Sequence, residues 1–389
     1  MISRSVSLVF AFALLSLTAM SVCASDYFLI EYEPNPVAFS SRKIRPRSPE
    51  LYTQELVDSI QSGSVLVMDA DTKRVLFESD GFSRRYPASV TKVMTAIIIL
   101  ENVNDLNELV YFSRNAVDLP WYAARLWMVQ GETLTVRDAL YGLMLSSGNE
   151  LARALAEHVS GSIGAFVEEM NRRAMEMGAY NTRFVNPCGL PGANQYITAY
   201  DIALIMREAV QIPMFTEIIS TAYYAFPPTY EYPDGRVIHN THRMIRRVFE
   251  YEFDPRIVGG KTGFTNAAQH TLVSYARQDD FRLIVSVLLS PNRTTFTDTR
   301  LLMDYAFNIL RLERAEQIRL ERERIQRERE LALLNEQASG GITNTTSKHL
   351  PLRPVEISDT EALVIAASSL GLAIFSLGVI KLIYSRKDF

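Results

Sequence analysis

Cysteine is scarce in this chain, which has two among its 389 residues, Cys23 and Cys188. Cys23 belongs to a segment with the features of a cleaved signal peptide, so the mature chain keeps Cys188 alone and can form no intramolecular disulfide. An exported domain without disulfides depends on a substantial hydrophobic core, and a body of about 250 residues can supply one. The formal net charge of −4 gives no reason to expect a nucleic-acid partner.

Two motifs of common hydrolases are absent as well. The chain has no G-x-S-x-G sequence, the turn that carries the nucleophile of ordinary serine hydrolases. The pair His239-x-x-His242 lacks the helix and the glutamate of the zinc-peptidase pattern. We therefore predict no metal site and no cofactor.

The first residues predict export. Arg4 precedes an apolar run from Val6 to Met20, and Val22-Cys23-Ala24 supplies small residues at the usual cleavage positions. This pattern predicts a signal peptide over residues 1–24, with an uncleaved N-terminal anchor as the alternative. Residues 25–55, rich in proline, serine and charge, predict an extended lead-in.

The last residues predict a membrane helix. The stretch from Ala362 to Ile380 carries no charge and has about the 20 residues that cross a bilayer, so we place a transmembrane helix over 361–384. Basic residues follow it, and the positive-inside rule puts the tail, residues 385–389, in the cytoplasm. The body is then expected on the periplasmic side, anchored in the cytoplasmic membrane by its C-terminal helix.

The body, residues 56–312, shows strand patterns at both ends and helical patterns between them. Apolar alternation around turn residues predicts one hairpin in SGSVLVMDADTKRVLFESD and another within residues 257–290. Residues 134–180 have the apolar spacings of three and four that indicate helices. This arrangement predicts a mixed α/β domain whose sheet combines strands from both ends.

A charged segment follows the body. A helix from about Asp298 to Leu312 closes the body, and residues 313–337 then carry glutamate and arginine at helical spacings. We expect a solvated single helix there, with a coiled coil as the alternative. Residues 338–360 are expected to form a flexible linker to the membrane.

Ser89 and Lys92 stand at the head of an apolar helical run, YPASVTKVMTAIIIL. On a helix the two side chains share a face, so the lysine amine can approach the serine hydroxyl. Burial lowers the pKa of a lysine toward the range of a general base. The alternative is a surface serine with a lysine that extends to solvent, and a second Ser-x-x-Lys at Ser40–Lys43 shows that the motif alone is weak evidence.

Two further motifs carry polar groups suited to a site. Ser147-Gly148-Asn149 forms a polar break between two helical segments, and Lys261-Thr262-Gly263 opens a strand-like stretch. Gly259-Gly260 precede that stretch, and we expect their missing side chains to let a substrate backbone lie alongside. Each motif by itself is common in capped turns.

Together and in this order, SVTK, SGN and KTG resemble the serine penicillin-recognising enzymes. PASVTKVMTA, LMLSSGNE, FVNPCGLP, YITAYDIALI and GGKTGFTNAA are similar to the D-alanyl-D-alanine carboxypeptidases, low-molecular-mass penicillin-binding proteins of serine peptidase family S11. The resemblance extends roughly from Ser64 to Leu312. It implies a β-lactamase/transpeptidase-like fold, in which helices, including an inserted helical subdomain, flank an antiparallel sheet.

The resemblance also implies an activity: removal of the terminal D-Ala from peptidoglycan stem pentapeptides, with β-lactams as inhibitors. Ser89 would be the nucleophile that forms the acyl-enzyme, and Lys92 would be its general base. Ser147 would relay the proton to the leaving amine. The substrate would be held by the side chains or backbone of Asn149, Lys261, Thr262 and Gly263. The backbone N–H groups of Ser89 and Phe264 would form the oxyanion hole.

The chain departs from its relatives at several positions. Cys188 stands where the family often has His or Thr, and we expect its thiol to fill space in the loop. Gln269 stands where many relatives have glycine. The arginine that helps to hold the substrate carboxylate in some relatives falls at Thr295 in this sequence, and Arg293 is close enough to substitute for it. We expect the charged helix and membrane span to take the place of the β-rich domain or amphipathic anchor that many relatives have at the C-terminus.

Three other functions are alternatives. A D-Ala cross-link endopeptidase could use the same site. A class A β-lactamase would need an E-x-x-L-N loop, which is absent between Asn149 and Lys261. A catalytically inactive, membrane-tethered scaffold that binds the cell wall is the alternative from a different functional class, and the intact Ser89, Lys92 and Ser147 argue against it.

Overall fold

The computed structural model describes residues 54–248, 250, 252–291 and 294–339. The strands are β1 (Ser64–Asp69), β2 (Val75–Ser79), β3 (Leu109–Tyr111), β4 (Thr133–Thr135), β5 (Tyr223–Phe226), β6 (Arg236–His239), β7 (Ile257–Thr265), β8 (Gln269–Gln278) and β9 (Phe281–Ser290). The α-helices are α1 (Gln54–Ser59), α2 (Lys92–Asn102), α3 (Arg114–Val117), α4 (Val136–Tyr141), α5 (Asn149–Ser160), α6 (Ile163–Glu176), α7 (Ala199–Ala209), α8 (Pro213–Ser220) and α9 (Thr295–Ser339).

The terminal segments singled out in the sequence lie outside these residues. The predicted signal peptide, transmembrane helix and cytoplasmic tail lie wholly outside them, and so do nearly all residues of the lead-in and nearly all of the linker. Arg293 is also outside the described residues. Among the helices of the described ranges, none is both long enough and apolar enough to cross a membrane. The domain boundaries proposed from the sequence stay predictions.

The main sheet pairs the two ends of the body. Its five antiparallel strands follow the order β2-β1-β9-β8-β7, so N-terminal β1 lies between β2 and C-terminal β9. In the register of β1 with β9, Val65 is opposite Val287 and Val67 is opposite Val285. The predicted mixed α/β class, with a sheet made from both ends of the body, is confirmed.

The central strands are buried on both faces, which explains their nearly continuous apolar sequences. In β8 and β9, the runs Thr271–Ala276 and Leu283–Leu288 are each fully buried along their length. Such runs occur where layers cover both sides of a sheet. Helix α7 contacts β1, β8 and β9, and the segment that precedes α2 contacts β7 and β8.

Helix α2 is a buried helix within the helical layer. Eight of its eleven residues, Lys92 to Ile99, are buried. A helix that is apolar on all sides needs neighbours all round it, and α2 contacts α5, α6, α7 and α8. Its first residue, Lys92, is the only charged member of the buried run.

Helix α9 is continuous over 45 residues, from Thr295 to Ser339. The chain divides into two units, residues 1–306 and 307–389, and α9 begins in the first and continues into the second. From Arg314 to Gln337 its side chains are exposed. Arg319 pairs with glutamates three residues before and four residues after it, and Arg324 does the same. Such pairs each stabilise an exposed helix by a few tenths of a kcal/mol.

Two methionines of α6 test how strongly the helical layer depends on packing. Met170 is fully buried, whereas Met175 on the same helix is 62% exposed. We expect Met170→Ala to lower the free energy of unfolding by about 2–5 kcal/mol, because it leaves a cavity. Met175→Ala, the matched control, should change it by less than about 0.5 kcal/mol. Urea unfolding of the two variants measures both, and equal effects would contradict this account of the core.

Candidate active site

Ser89 and Lys92 occupy one turn at the start of the buried helix. A 3₁₀ helix, Ala88–Thr91, leads directly into α2, whose first residue is Lys92. The Lys92 Nζ lies 3.0 Å from the Ser89 Oγ. Lys92 is fully buried, whereas Ser89 is half-buried.

Two other oxygens contact the Lys92 amine. Its Nζ donates to the Asn149 Oδ1 at 2.7 Å and to the backbone carbonyl of Cys188 at 2.6 Å. Neither oxygen can donate a proton. A neutral amine that gives its two hydrogens to these acceptors therefore directs its lone pair toward the Ser89 hydroxyl. The arrangement suits a general base.

The environment of Lys92 makes its ammonium form lose a proton more easily than that of an exposed lysine. Burial lowers the pKa of Lys92 to about 8, although the nearby Glu150 carboxylate partly opposes this change. Burial also holds the pKa of Lys261 well below its usual range, and repulsion from Lys92 adds to that effect. The two buried lysines are thus close enough for a charge on one to disfavour a charge on the other.

Asn149 makes two hydrogen bonds to one carbonyl. Its Nδ2 and its backbone N–H both donate to the carbonyl of Ala124, at 2.9 and 3.0 Å. These bonds orient the amide so that Oδ1 is left to accept from Lys92. The loop that contains Ala124 therefore sets the position of the lysine through Asn149.

Ser147 stands between a π-helix, Gly142–Ser146, and α5. Its backbone is left-handed, with φ 66° and ψ 30°, a conformation that costs a non-glycine residue energy and is enriched at functional sites. Within the described part of the chain, its buried Oγ has no hydrogen-bond partner. The hydroxyl is therefore available to a bound molecule, and no direct hydrogen bond joins it to Ser89 or Lys92.

The KTG segment lies in β7, beside the turn that carries Ser89. The Lys261 Nζ donates to the Thr262 carbonyl at 3.0 Å. A Cβ added at Gly263 would lie 2.7 Å from the Ser89 backbone nitrogen and 2.4 Å from the Thr271 Oγ1. Glycine at 263 thus allows β7 to approach the Ser89 amide. Phe264, the next residue, is 56% exposed.

The sequence-based explanation of Gly259-Gly260 is wrong. A Cβ at Gly259 would lie 2.3 Å from the Ile219 carbonyl oxygen, and one at Gly260 would lie 2.1 Å from the Val273 carbonyl oxygen. The protein's own backbone fills the space that we expected a substrate to use. These glycines are required for packing around β7.

Two residues near the site were missed from the sequence. The Thr241 Oγ1 lies 2.6 Å from the Thr262 Oγ1, so a second hydroxyl accompanies the one predicted to bind substrate. His242 beside it is fully buried, and its Nε2 lies 2.8 Å from the Ser274 Oγ. Burial, together with the Lys261 charge, lowers the pKa of His242 to about 3, so the imidazole is neutral. Both residues lie in the segment between β6 and β7, where no sequence pattern indicated either contact.

The departures from the family pattern also have positions in the structure. The Cys188 thiol is buried, with its Sγ 3.3 Å from the Asn186 Oδ1, and the hydrogen bond from Lys92 to this residue goes to its backbone carbonyl. Gln269 begins β8 with φ 55°, the left-handed region in which glycine is favoured. Thr295 is buried at the start of α9.

Comparisons with known proteins agree with this geometry. The chain is 32% identical over 255 residues to the D-alanyl-D-alanine carboxypeptidase DacF of Bacillus subtilis, covering 64% of this chain and 62% of DacF. It is 29% identical over 249 residues to the D-alanyl-D-alanine endopeptidase of Escherichia coli, covering 63% of this chain and 73% of that protein.

Solved structures also match. The crystal structure of the D-alanyl-D-alanine carboxypeptidase from Mycobacterium tuberculosis H37Rv superposes with a TM-score of 0.58 at 30% identity, covering 64% of this chain and 91% of that chain. The predicted penicillin-binding fold is confirmed. Residues 51–292, more than half of the chain, match the D-alanyl-D-alanine carboxypeptidase family, peptidase family S11, and the chain belongs to this family.

Proposed function

We propose that this protein is a serine-type D-alanyl-D-alanine carboxypeptidase that trims peptidoglycan stem pentapeptides through an acyl-enzyme on Ser89. The observation that carries the proposal is the 3.0 Å contact between the Ser89 Oγ and the buried Lys92 Nζ. Family membership supports the substrate class. The alignment with DacF covers 62% of that relative, so the activity of the whole chain is itself part of the proposal.

The proposed reaction begins with proton transfer from Ser89 to Lys92. The Ser89 Oγ attacks the carbonyl carbon of the penultimate D-Ala, and the carbonyl oxygen becomes negative. Backbone N–H groups of Ser89 and Phe264 would stabilise that charge. Gly263, which lacks a side chain, keeps β7 next to the Ser89 amide and so supports this assignment.

Collapse of the intermediate breaks the peptide bond. The leaving amine of the terminal D-Ala takes a proton, which Lys92 supplies through the Ser147 hydroxyl. The unpartnered Oγ of Ser147 supports its role as this relay. Water then adds to the ester carbonyl, Lys92 accepts the water proton, and Ser89 is released with its own proton restored.

The terminal carboxylate of the substrate would bind the hydroxyl groups of Thr262 and Thr241. Their oxygens lie 2.6 Å apart, so one hydroxyl can donate to the other while the second donates to the carboxylate. Lys261 lies next to Thr262, and a carboxylate bound there would favour the ammonium form of this buried lysine. Asn149 would hold Lys92 and donate to the substrate's peptide chain.

An endopeptidase that cuts D-Ala cross-links is the second candidate function. The similarity to the Escherichia coli endopeptidase favours it, because the same catalytic residues could cleave a longer substrate. β-Lactams, which resemble D-Ala-D-Ala, are proposed to acylate Ser89 in either case.

Release of D-Ala tests the proposed activity. The soluble body should release one D-Ala from each stem pentapeptide, and a fluorescent penicillin should label Ser89 because it mimics the substrate. Ser89→Ala should abolish the label and lower the rate by a factor on the order of 10⁵ or more, since no nucleophile remains. D-Ala release and peptide mapping of the adduct are the measurements. Cleavage of cross-linked dimers without D-Ala release from pentapeptide would instead establish the endopeptidase.

The pH dependence tests the role of Lys92. Because the pKa of Lys92 is lowered to about 8, raising the pH through that value deprotonates the amine. The rate of penicillin acylation should therefore rise with pH and level off above about pH 8, as measured by stopped-flow fluorescence. Lys92→Arg should slow acylation on the order of 10²–10⁴-fold, because arginine stays protonated. Lys73→Arg, at an exposed turn, is the matched control, and a pH-independent rate would refute the assignment.

We further propose that the domain is exported and anchored to the cytoplasmic membrane by residues 361–384. The uncharged stretch and the basic residues after it support this orientation. The full chain should stay with membranes after alkaline carbonate washing, whereas a chain that ends at residue 339 should be released. Fractionation followed by penicillin labelling measures both, and release of the full chain would contradict the anchor.

A further inference from the structure

A pocket of about 260 Å³ lies beside the loop of residues 118–130 and outside the catalytic residues. Its walls include the apolar residues Val117, Leu119 and Met128, and the charged residues Arg125, Glu150 and Glu231. The indole of Trp127 also lines it. Apart from Glu150, which belongs to the motif LMLSSGNE and acts on the charge of Lys92, these side chains enter neither the family resemblance nor the proposed reaction.

Glu150 lines this pocket and has a carboxyl group whose hydrogen-bonding capacity is not fully used. The side chain is only 2% exposed, and its Oε1 accepts a hydrogen bond from the Leu126 backbone N–H. Within the described residues, its buried Oε2 has no hydrogen-bond partner. Leaving such an oxygen unpaired is costly, so a ligand that hydrogen-bonds there would gain affinity.

Trp127 adds an aromatic surface held in a fixed place. Its backbone is left-handed, with φ 62°, and the residue is 52% exposed. The Arg125 guanidinium lies 5.1 Å from the ring centroid. Arg236 fixes the loop beside the indole by donating to the Leu126 carbonyl at 2.7 Å. The ring is thus presented by a loop that is tied at several points.

These groups favour a polyhydroxylated ring over a cation. A sugar has apolar C–H faces that can lie against an indole, and hydroxyls that both donate to a glutamate oxygen and accept from a guanidinium. An ammonium group could pair with Glu150 or Glu231, but it would be repelled by Arg125, whose charge already acts on Glu150. The small volume suits one sugar residue. Three further aromatic side chains are exposed close in sequence to lining residues: Trp121 and Tyr122 precede Arg125, and Tyr230 precedes Glu231.

We propose that this pocket binds an amino-sugar residue of the glycan to which the stem peptide is attached. The inference rests on the proposed function, because it treats the glycan as part of the same substrate. The loop provides a connection to the catalytic site. Asn149 binds Ala124 and contacts Lys92, while the next residue, Glu150, binds Leu126 two positions farther along the loop.

Intrinsic fluorescence can detect the sugar directly. The chain has two tryptophans, Trp121 and Trp127, so Trp121→Phe leaves Trp127 as the sole reporter. In a Ser89→Ala, Trp121→Phe protein, which cannot turn over substrate, N,N′-diacetylchitobiose should change the Trp127 emission saturably. Absence of a saturable change up to millimolar sugar would overturn the proposal. A saturable change with lysine amide but not with the sugar would overturn it too, in favour of a cation site.

Kinetics test whether the pocket contributes to substrate choice. We expect kcat/KM for a disaccharide-linked pentapeptide to exceed that for the same free pentapeptide by about tenfold, the scale of one aromatic contact. Trp127→Ala should bring the ratio of the two values near one, and Trp127→Tyr should restore part of it. Trp121→Ala, in the same loop but 89% exposed and outside the pocket lining, is the matched control and should keep the ratio.

The outcomes separate the two proposals. Equal kcat/KM values for both peptides in the unaltered protein, or a ratio that Trp121→Ala lowers as much as Trp127→Ala, would overturn the glycan pocket while leaving the carboxypeptidase in place. No D-Ala release from the free pentapeptide would overturn the proposed function, and the fluorescence titration would still decide whether the pocket binds sugar.

Discussion

Lys92 brings an amine into a helix whose next seven residues are all buried, so its polar contacts have to come from the protein itself. Three separate segments supply them: the turn of Ser89, the start of α5 at Asn149 and the carbonyl of Cys188. Burying a lysine without such partners would cost several kcal/mol. The position of each segment is therefore tied to the position of one nitrogen.

The same burial limits the charge of the site. Lys92 and Lys261 both lose stabilisation of their ammonium forms inside the protein, and the charge of Lys92 further disfavours a charge on Lys261. His242 next to them is held neutral. An amine whose proton is held weakly can accept a proton from a hydroxyl and return it to a leaving group near neutral pH. Two lysines that stayed protonated throughout could not accept the proton.

Sequence patterns predicted much of this structure and failed at identifiable places. The buried run after Lys92 and the paired hairpins were sufficient to predict the mixed fold and the contact of Lys92 with Ser89. The reason for Gly259-Gly260 was missed because the atoms that occupy their space, carbonyls of Ile219 and Val273, belong to distant parts of the chain. The Thr241–Thr262 contact was missed for the same reason, since a loop conformation brings two hydroxyls 21 residues apart together.

The contact between Lys92 and residue 188 limits which substitutions the site can accept during evolution. The contact is made by a main-chain carbonyl, and the next residue, Gly189, has φ 84° and packs so closely on the Ala88 carbonyl that an added Cβ would lie 1.8 Å from it. The backbone at 188–189 is thus constrained, whereas the side chain at 188 is not what holds the lysine. A substitution that changes the side chain at position 188 can therefore leave Lys92 in its place. A substitution at Gly189 would instead displace the turn that carries Ser89.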